Sequence, residues 1–113
     1  MRKERLTKTS QFAAVYEGGK SRADSFLVLK AIPNGLDVTR CGFTVSKRIG
    51  NAVVRNRVKR RLRVCLQQMS VEEGWDIVFI ARAGISIADY RTIQKSVQGL
   101  LKRGHLLMDG QKV

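Results

Sequence analysis

Residues 46–66, SKRIGNAVVRNRVKRRLRVCL, carry two patterns at once. The first is apolar. Val54, Val58, Leu62, Cys65 and Met69 recur at spacings of four, four, three and four. At about 100° per residue they fall in one arc, with Leu66 at its edge. Gly50 permits a turn and Asn51 supplies an N-cap oxygen, so the spacing predicts a helix that starts there. The second pattern is charge. Eight Lys or Arg residues lie between Lys47 and Arg63, and no Asp or Glu occurs from Val38 to Met69. Asn56, Lys59, Arg60 and Arg63 project opposite the apolar arc, and Arg55, Arg57 and Arg61 flank it. One face can then rest on a core while guanidinium groups face outward. Each guanidinium offers a planar fork that matches phosphate. A solvated helix face mixes signs, so a one-signed run of this length calls for an anionic partner. A membrane-surface helix would set Trp or Phe in the apolar arc, and neither is there. Nucleic acid fits this stretch better.

The whole chain leans the same way. It has 22 Lys and Arg against 9 Asp and Glu, a net charge of +13 over 113 residues. Such a balance favours RNA, DNA or another polyanion. The length is that of one domain, 1–113, large enough for a core without staples. Cys41 and Cys65 lie far apart at apolar periodic positions, and His105 is the single histidine. A zinc site is therefore not expected, and both cysteines read as buried thiols in a reducing cytosol. No apolar run approaches membrane-spanning length, and the basic start MRKERLTKTS has no apolar stretch behind it. A cytoplasmic protein is expected, with no membrane partner.

Around the basic stretch, residues 1–9 read as a flexible basic N-terminus. Thr9 or Ser10 can cap a helix that places Phe12, Val15 and Tyr16 on one face, closed by Gly18-Gly19. By spacing alone the two aromatics are core residues; as an alternative they form a platform on which unpaired bases stack. Gly18-Gly19-Lys20-Ser21 is not a phosphate-binding P-loop, because Ala14 stands where the motif needs Gly and a strand follows where it needs a helix. Phe26 to Ile32 and Val38 to Ser46 read as strands, and the short Pro33-Asn34-Gly35 connection predicts a hairpin between them. In the second strand Cys41, Phe43 and Val45 face one way, and Arg40, Thr44 and Ser46 the other. Trp75 to Ala81 is a further strand, and Gly84 to Ala88 a loop. Asp89 caps a last helix with Tyr90, Ile93, Val97, Leu100 and Leu101 as its apolar stripe, ended by Gly104. The tail 105–113 gives no signal. The order α-β-β-(β)-α-β-α predicts an α+β fold, a single-domain α-β sandwich.

Self-sufficient catalysis is absent from this pattern. A protein nuclease needs an acid and a base, or carboxylates that hold metal. The nine acids are scattered, none lies in the basic stretch, and no Ser or Cys has a recognisable His and Asp arrangement around it. No catalytic residue and no metal ligand is expected in the protein.

Gly50-Asn51-Ala52-Val53, Arg55-Asn56-Arg57 and Lys59-Arg60-Arg61-Leu62-Arg63, behind a Ser46-Lys47-Arg48 strand end, resemble the signature of the bacterial ribonuclease P protein subunit. The likeness spans roughly residues 6–103 of the chain. It implies a family-type left-handed βαβ crossover through the basic helix, where the general rule would give a right-handed one. It also implies a role: assisting a catalytic RNA subunit in endonucleolytic removal of the 5′ leader from precursor tRNA. Mg2+ would be held mainly by that RNA. The implied partners are the ribonuclease P RNA subunit and precursor tRNA, with no protein partner. Arg55, Asn56, Arg57, Lys59, Arg60, Arg61 and Arg63 are the implied RNA-subunit contacts. Phe12, Tyr16, Phe26, Lys30, Ser46, Lys47 and Arg48 are the implied leader-binding cleft. Gln11 stands where the family usually carries Asp, and Val64 where it carries a polar or acidic residue. A structural RNA-binding protein of the ribosomal type would share the composition. A DNA-binding regulator would need a helix-turn-helix or a dimer element, and neither is present.

Overall fold

The computed structural model describes residues 3–108. Its centre is β5 (Trp75–Ala81), in which Ile77, Val78 and Phe79 are fully buried. A strand covered on both faces reads as a continuous apolar run, which WDIVFIA is after its second residue. On one side β5 pairs in parallel with β4 (Thr39–Thr44), and on the other it pairs antiparallel with β3 (Leu27–Pro33). β1 (Lys3–Arg5) adds in parallel to the outer edge of β4, and β2 (Lys20–Ala23) adds antiparallel to β3. The sheet order is therefore β1-β4-β5-β3-β2.

Two expectations are corrected here. The hairpin placed at Pro33-Asn34-Gly35 does not form, because β5 lies between β3 and β4. The Asn34 side chain instead ties the loop over the end of β5, donating to the Val38 carbonyl at 3.0 Å and to Asp76 at 2.9 Å, while its backbone N–H donates to the Gly74 carbonyl at 2.8 Å. A β3–β4 hairpin would leave the most apolar strand at an edge. The local hairpin is β2–β3, in sequence unpromising because KSRA is polar. The N-terminal stretch also departs from a loose arm: Lys3–Arg5 forms a strand, Leu6 is buried, and the Leu6 N–H donates to the Cys41 carbonyl at 2.9 Å. Residues 1–2 and 109–113, the remainder of the two termini, lie outside the described residues. Of the tail, Leu106 is buried and Leu107 bridges Val71.

Three helices cover the sheet unequally. α2 (Ala52–Gln67) and α3 (Tyr90–Arg103) pack side by side on one face. Val58, Leu62, Cys65 and Leu66 of α2 meet Ile93, Val97, Leu100 and Leu101 of α3 over Leu27, Leu29, Cys41, Ile77 and Phe79 of the sheet. A short 3-10 helix (Ala83–Ile87), where a loop was expected, leads into α3, and α2 packs against it. α1 (Thr9–Gly18) lies alone on the opposite face, over β3 and β5, with Leu6, Val15 and Val78 as its small core. Two of the three predicted caps are present: Asn51 accepts from the Val54 N–H at 3.0 Å and Asp89 from the Thr92 N–H at 2.8 Å, whereas Thr9 and Ser10, expected to cap α1, already lie inside its first turn. α1 begins one residue beyond Lys8, and the Gln11 side chain reaches back to accept from the Thr7 and Lys8 N–H groups at 2.9 and 3.0 Å.

Candidate nucleic-acid interface

The alternation of strand side chains divides β4 between the two faces. Cys41 and Phe43 turn to the main core, and Arg40, Gly42 and Thr44 turn toward α1. Phe12 lies across Gly42 so closely that a Cβ at Gly42 would stand 2.5 Å from the ring. A glycine inside a strand marks such an approach. Tyr16 follows one turn later, its ring centroid 6.4 Å from that of Phe12, and its hydroxyl hydrogen-bonds the Thr44 hydroxyl. Lys30 of β3 donates to the Tyr16 carbonyl at 2.9 Å. Phe12 is half-buried and Tyr16 exposed, so the pair forms an aromatic ledge with one side on the sheet and one side open. Ser46, Lys47 and Arg48 continue from the Thr44 end of β4 as an exposed turn. Six of the seven residues expected in the cleft thus lie on or beside one surface. Phe26 does not: it packs against the main core near Gly84, because it precedes β3 in the turn fixed by Asp24, which accepts from the Phe26 and Leu27 N–H groups. Gly42 and Thr44 belong to the ledge and were not singled out in sequence. The glycine inside an apolar strand and the outward parity of Thr44 were the available signals.

The basic face of α2 is less uniform than the spacing suggests. Arg55 donates to the Gly50 carbonyl at 3.2 Å, Arg57 to the Ser86 carbonyl at 3.5 Å and Arg61 to the Ala88 carbonyl at 3.1 Å. These three lean onto the protein's own backbone, although each guanidinium keeps further donors. Asn56, Lys59, Arg60 and Arg63 remain on the outer side. The Nε groups of Arg57 and Arg63 are buried without an acceptor. A buried donor left unmet costs about 1–3 kcal/mol, more when charged. Burial, and then the neighbouring Arg5, push the Arg63 guanidinium below its ordinary pKa. An anion against the rest of the Arg63 guanidinium would favour its charged form. A cavity of about 150 Å³ lined by Arg5, Leu6, Phe12, Phe43, Lys59 and Arg63 connects the aromatic ledge to this helix face.

Other cations are already engaged. Arg40 holds the buried Asp76 in a two-pronged pair at 2.8 and 2.6 Å, which raises its own pKa. Arg82 donates to the Asp24 carbonyl and Arg103 to the Ala23 carbonyl. Both cysteines are buried and unpaired; burial pushes the Cys41 thiol up to about 12 and raises that of Cys65. Among the described residues no three His, Cys, Asp or Glu side chains gather where a metal ion could be held, and no helix is long and apolar enough to cross a membrane.

Fold and surface together define an α-β sandwich with a basic helix face and an aromatic ledge on its exterior. Residues 1–105 match the family model described as Ribonuclease P. The ribonuclease P protein component of Caldanaerobacter subterraneus subsp. tengcongensis is 43% identical over 110 residues, covering 96% of this chain and 95% of its own length. That of Dehalococcoides mccartyi is 41% identical over 103 residues, covering 91% and 86%. Among solved structures, the ribonuclease P protein of Staphylococcus aureus is similar with a TM-score of 0.84 at 32% identity, over 92% of this chain and 97% of the other. That of Thermotoga maritima has a TM-score of 0.81 at 32% identity, over 88% and 96%. The chain belongs to the ribonuclease P protein family. Its role is that of the protein component of this tRNA-processing ribonuclease. Superposition of this quality also gives the β4–α2–β5 crossover the hand of that family.

Proposed function

We propose that this protein assists a catalytic RNA subunit in removing the 5′ leader of precursor tRNA in the bacterial cytoplasm, through two surfaces with separate tasks. The outer face of α2 binds the RNA subunit, and the ledge of Phe12 and Tyr16, with Lys30 and the Ser46 to Arg48 turn, holds the single-stranded leader. The observation that carries this reading is the acid-free outer face of α2, on which Lys59, Arg60 and Arg63 have no acceptor among the described residues. Phosphate oxygens supply what the protein withholds.

The division follows from chemistry. A structured RNA presents dense phosphate, and neutralising about six phosphates would give a log-log salt dependence of about −4 to −5. A leader of arbitrary sequence is better held by stacking, since every base has a π-face and stacking contributes about 1–3 kcal/mol per base. Leader contact favours precursor over mature product. Cations set beside RNA phosphates also reduce their mutual repulsion and with it the Mg2+ needed for activity. Among the described residues no carboxylate cluster fits Mg2+, so the metal would reside with the RNA.

The test is 5′ cleavage of precursor tRNA by a bacterial ribonuclease P RNA at low Mg2+, with and without the protein. Rescue by wild type, loss with Arg57→Ala/Arg63→Ala and weakened precursor binding with Phe12→Ala/Tyr16→Ala are expected. An unchanged Mg2+ requirement and an unchanged preference for precursor over mature tRNA would overturn the proposal.

A further inference from the structure

On the α2–α3 side of the sheet one corner is left open. In β2, Lys20 pairs with Ala31 and Arg22 with Leu29, and at the end of β3 Pro33 pairs with Trp75. Paired residues share a face, so all six turn toward the side on which α3 lies. α3 stops short of them. It ends at Arg103, Gly104 caps it, and His105, with φ of 59°, turns the chain so that Leu106 plugs the core. What remains is a cavity of about 380 Å³. Leu29, Ala31, Pro33, Trp75 and Leu106 form its floor, and Lys20, Arg22 and His105 stand at its rim. This volume is within the range of about 300–1,000 Å³ usual for small-molecule sites.

The lining contains no acid, and neither the Lys20 nor the Arg22 side chain has an acceptor among the described residues. Trp75 is only half-buried there, whereas its strand neighbours are covered. A partly open indole beside two unpartnered cations offers an aromatic ring a surface to stack on and an anion two charge-assisted donors. From these features we infer that the cavity bounded by Trp75, Lys20 and Arg22 is a binding site for a nucleotide, with the base against Trp75 and the phosphate between Lys20 and Arg22. The site is distinct from the ledge of Phe12 and Tyr16. It lies mostly on the other face of the sheet, reaching past the β2–β3 edge only to Ile32 and to Gly18 at the end of α1, and Trp75 is about 16 Å along β5 from Ile80, which lies beside the ledge. The nucleotide can be free or part of an RNA strand, since both present the same base and phosphate.

Trp75 is the only tryptophan of the chain, so its emission reports on this site alone. Full-length protein is titrated with uridine monophosphate, with 5′-phosphorylated tetrauridylate and with inorganic phosphate. The expected result is a saturable change in emission with uridine monophosphate. It should weaken about tenfold in Lys20→Glu/Arg22→Glu and stay the same in Phe12→Ala/Tyr16→Ala. Tetrauridylate binding about tenfold tighter than the mononucleotide assigns the site to an RNA strand, and equal binding assigns it to a free nucleotide. Amide shifts in a parallel NMR titration should centre on Arg22, Trp75 and His105. The inference is overturned if no probe gives saturable change, if phosphate alone binds as well as the nucleotide, or if the response survives the charge reversal. It is equally overturned if the amide shifts centre on α1 and Thr44.

Discussion

The two faces of the sheet differ in how completely they are covered, and the difference separates stability from recognition. On one face α2 and α3 bury a continuous core around Leu62, Phe79 and Leu100. On the other, α1 alone covers β3 and β5 and buries little beyond Leu6, Val15 and Val78. The thick side fixes the sheet and, through it, the direction in which α2 presents its arginines. The thin side leaves Phe12 half-open and Tyr16 37% exposed, so sheet and helix together remain available to a ligand. The polar groups follow the same division. Tyr16 is met by Thr44, and its carbonyl by Lys30, within the protein. Lys59, Arg60 and Arg63 on the outer face of α2 are met by no acceptor among the described residues. A preformed ledge suits ligands of variable sequence, and unmet donors suit a fixed partner that brings its own acceptors.

The largest expected effect tests the unequal cover. Leu62→Ala on the thick side should cost about 2–5 kcal/mol in denaturant unfolding. Val15→Ala on the thin side should cost less, about 1.5–3 kcal/mol. Equal losses would break the comparison. A second pair of variants separates the two recognition modes. Arg57→Ala/Arg63→Ala should flatten the salt slope of RNA-subunit binding by about 1.4–1.8. Phe12→Ala/Tyr16→Ala should weaken single-strand binding by about 1–3 kcal/mol per stacked base while leaving that slope unchanged. Identical salt responses from both pairs would mean a single surface.

A smaller loss is expected at the start of the basic helix. Asn51→Ala removes the cap that accepts the Val54 N–H and should cost about 1 kcal/mol, whereas Asn51→Asp should keep the cap. The smallest effect is confined to alkaline pH. Burial raises the Cys41 thiol from 9.0 to about 12, so folding favours its protonated form. That contribution is fully present below about pH 9 and declines as pH rises toward 12, by at most about 1.4 kcal/mol per pH unit. Thermal melts of wild type and Cys41→Ala should therefore run parallel from pH 6 to about 8 and converge above about 9. Melts that stay parallel through the alkaline range would place the thiol in water.

The sequence by itself determined the elements whose signals are local. The spacing of Val54, Val58, Leu62 and Cys65, with Asn51 ahead of them, gives α2 almost to its ends. Asp89 and Gly104 bound α3, and the apolar run Trp75 to Ala81 gives β5. These signals work because caps and periodicity act within one or two turns of chain. The acid-free arginine run was legible for the same reason, and with it the family. Only the tertiary structure decided the strand order. Pro33-Asn34-Gly35 has the composition of a hairpin turn, yet the burial of β5 on both faces requires β3 and β4 on either side of it. That is a long-range gain that no local turn preference outweighs. β1 and β2 were hidden because edge strands are polar and owe their form to the neighbour they pair with. The site divides in the same way. Phe12 and Tyr16 share a face by helical spacing alone. The tertiary structure joined that face to Gly42 and Thr44, removed Phe26 to the opposite core and decided which arginines of α2 keep unmet donors. Those outcomes depend on which backbone carbonyls and side chains the fold brings within hydrogen-bonding distance, a matter of three-dimensional proximity that residue spacing does not encode.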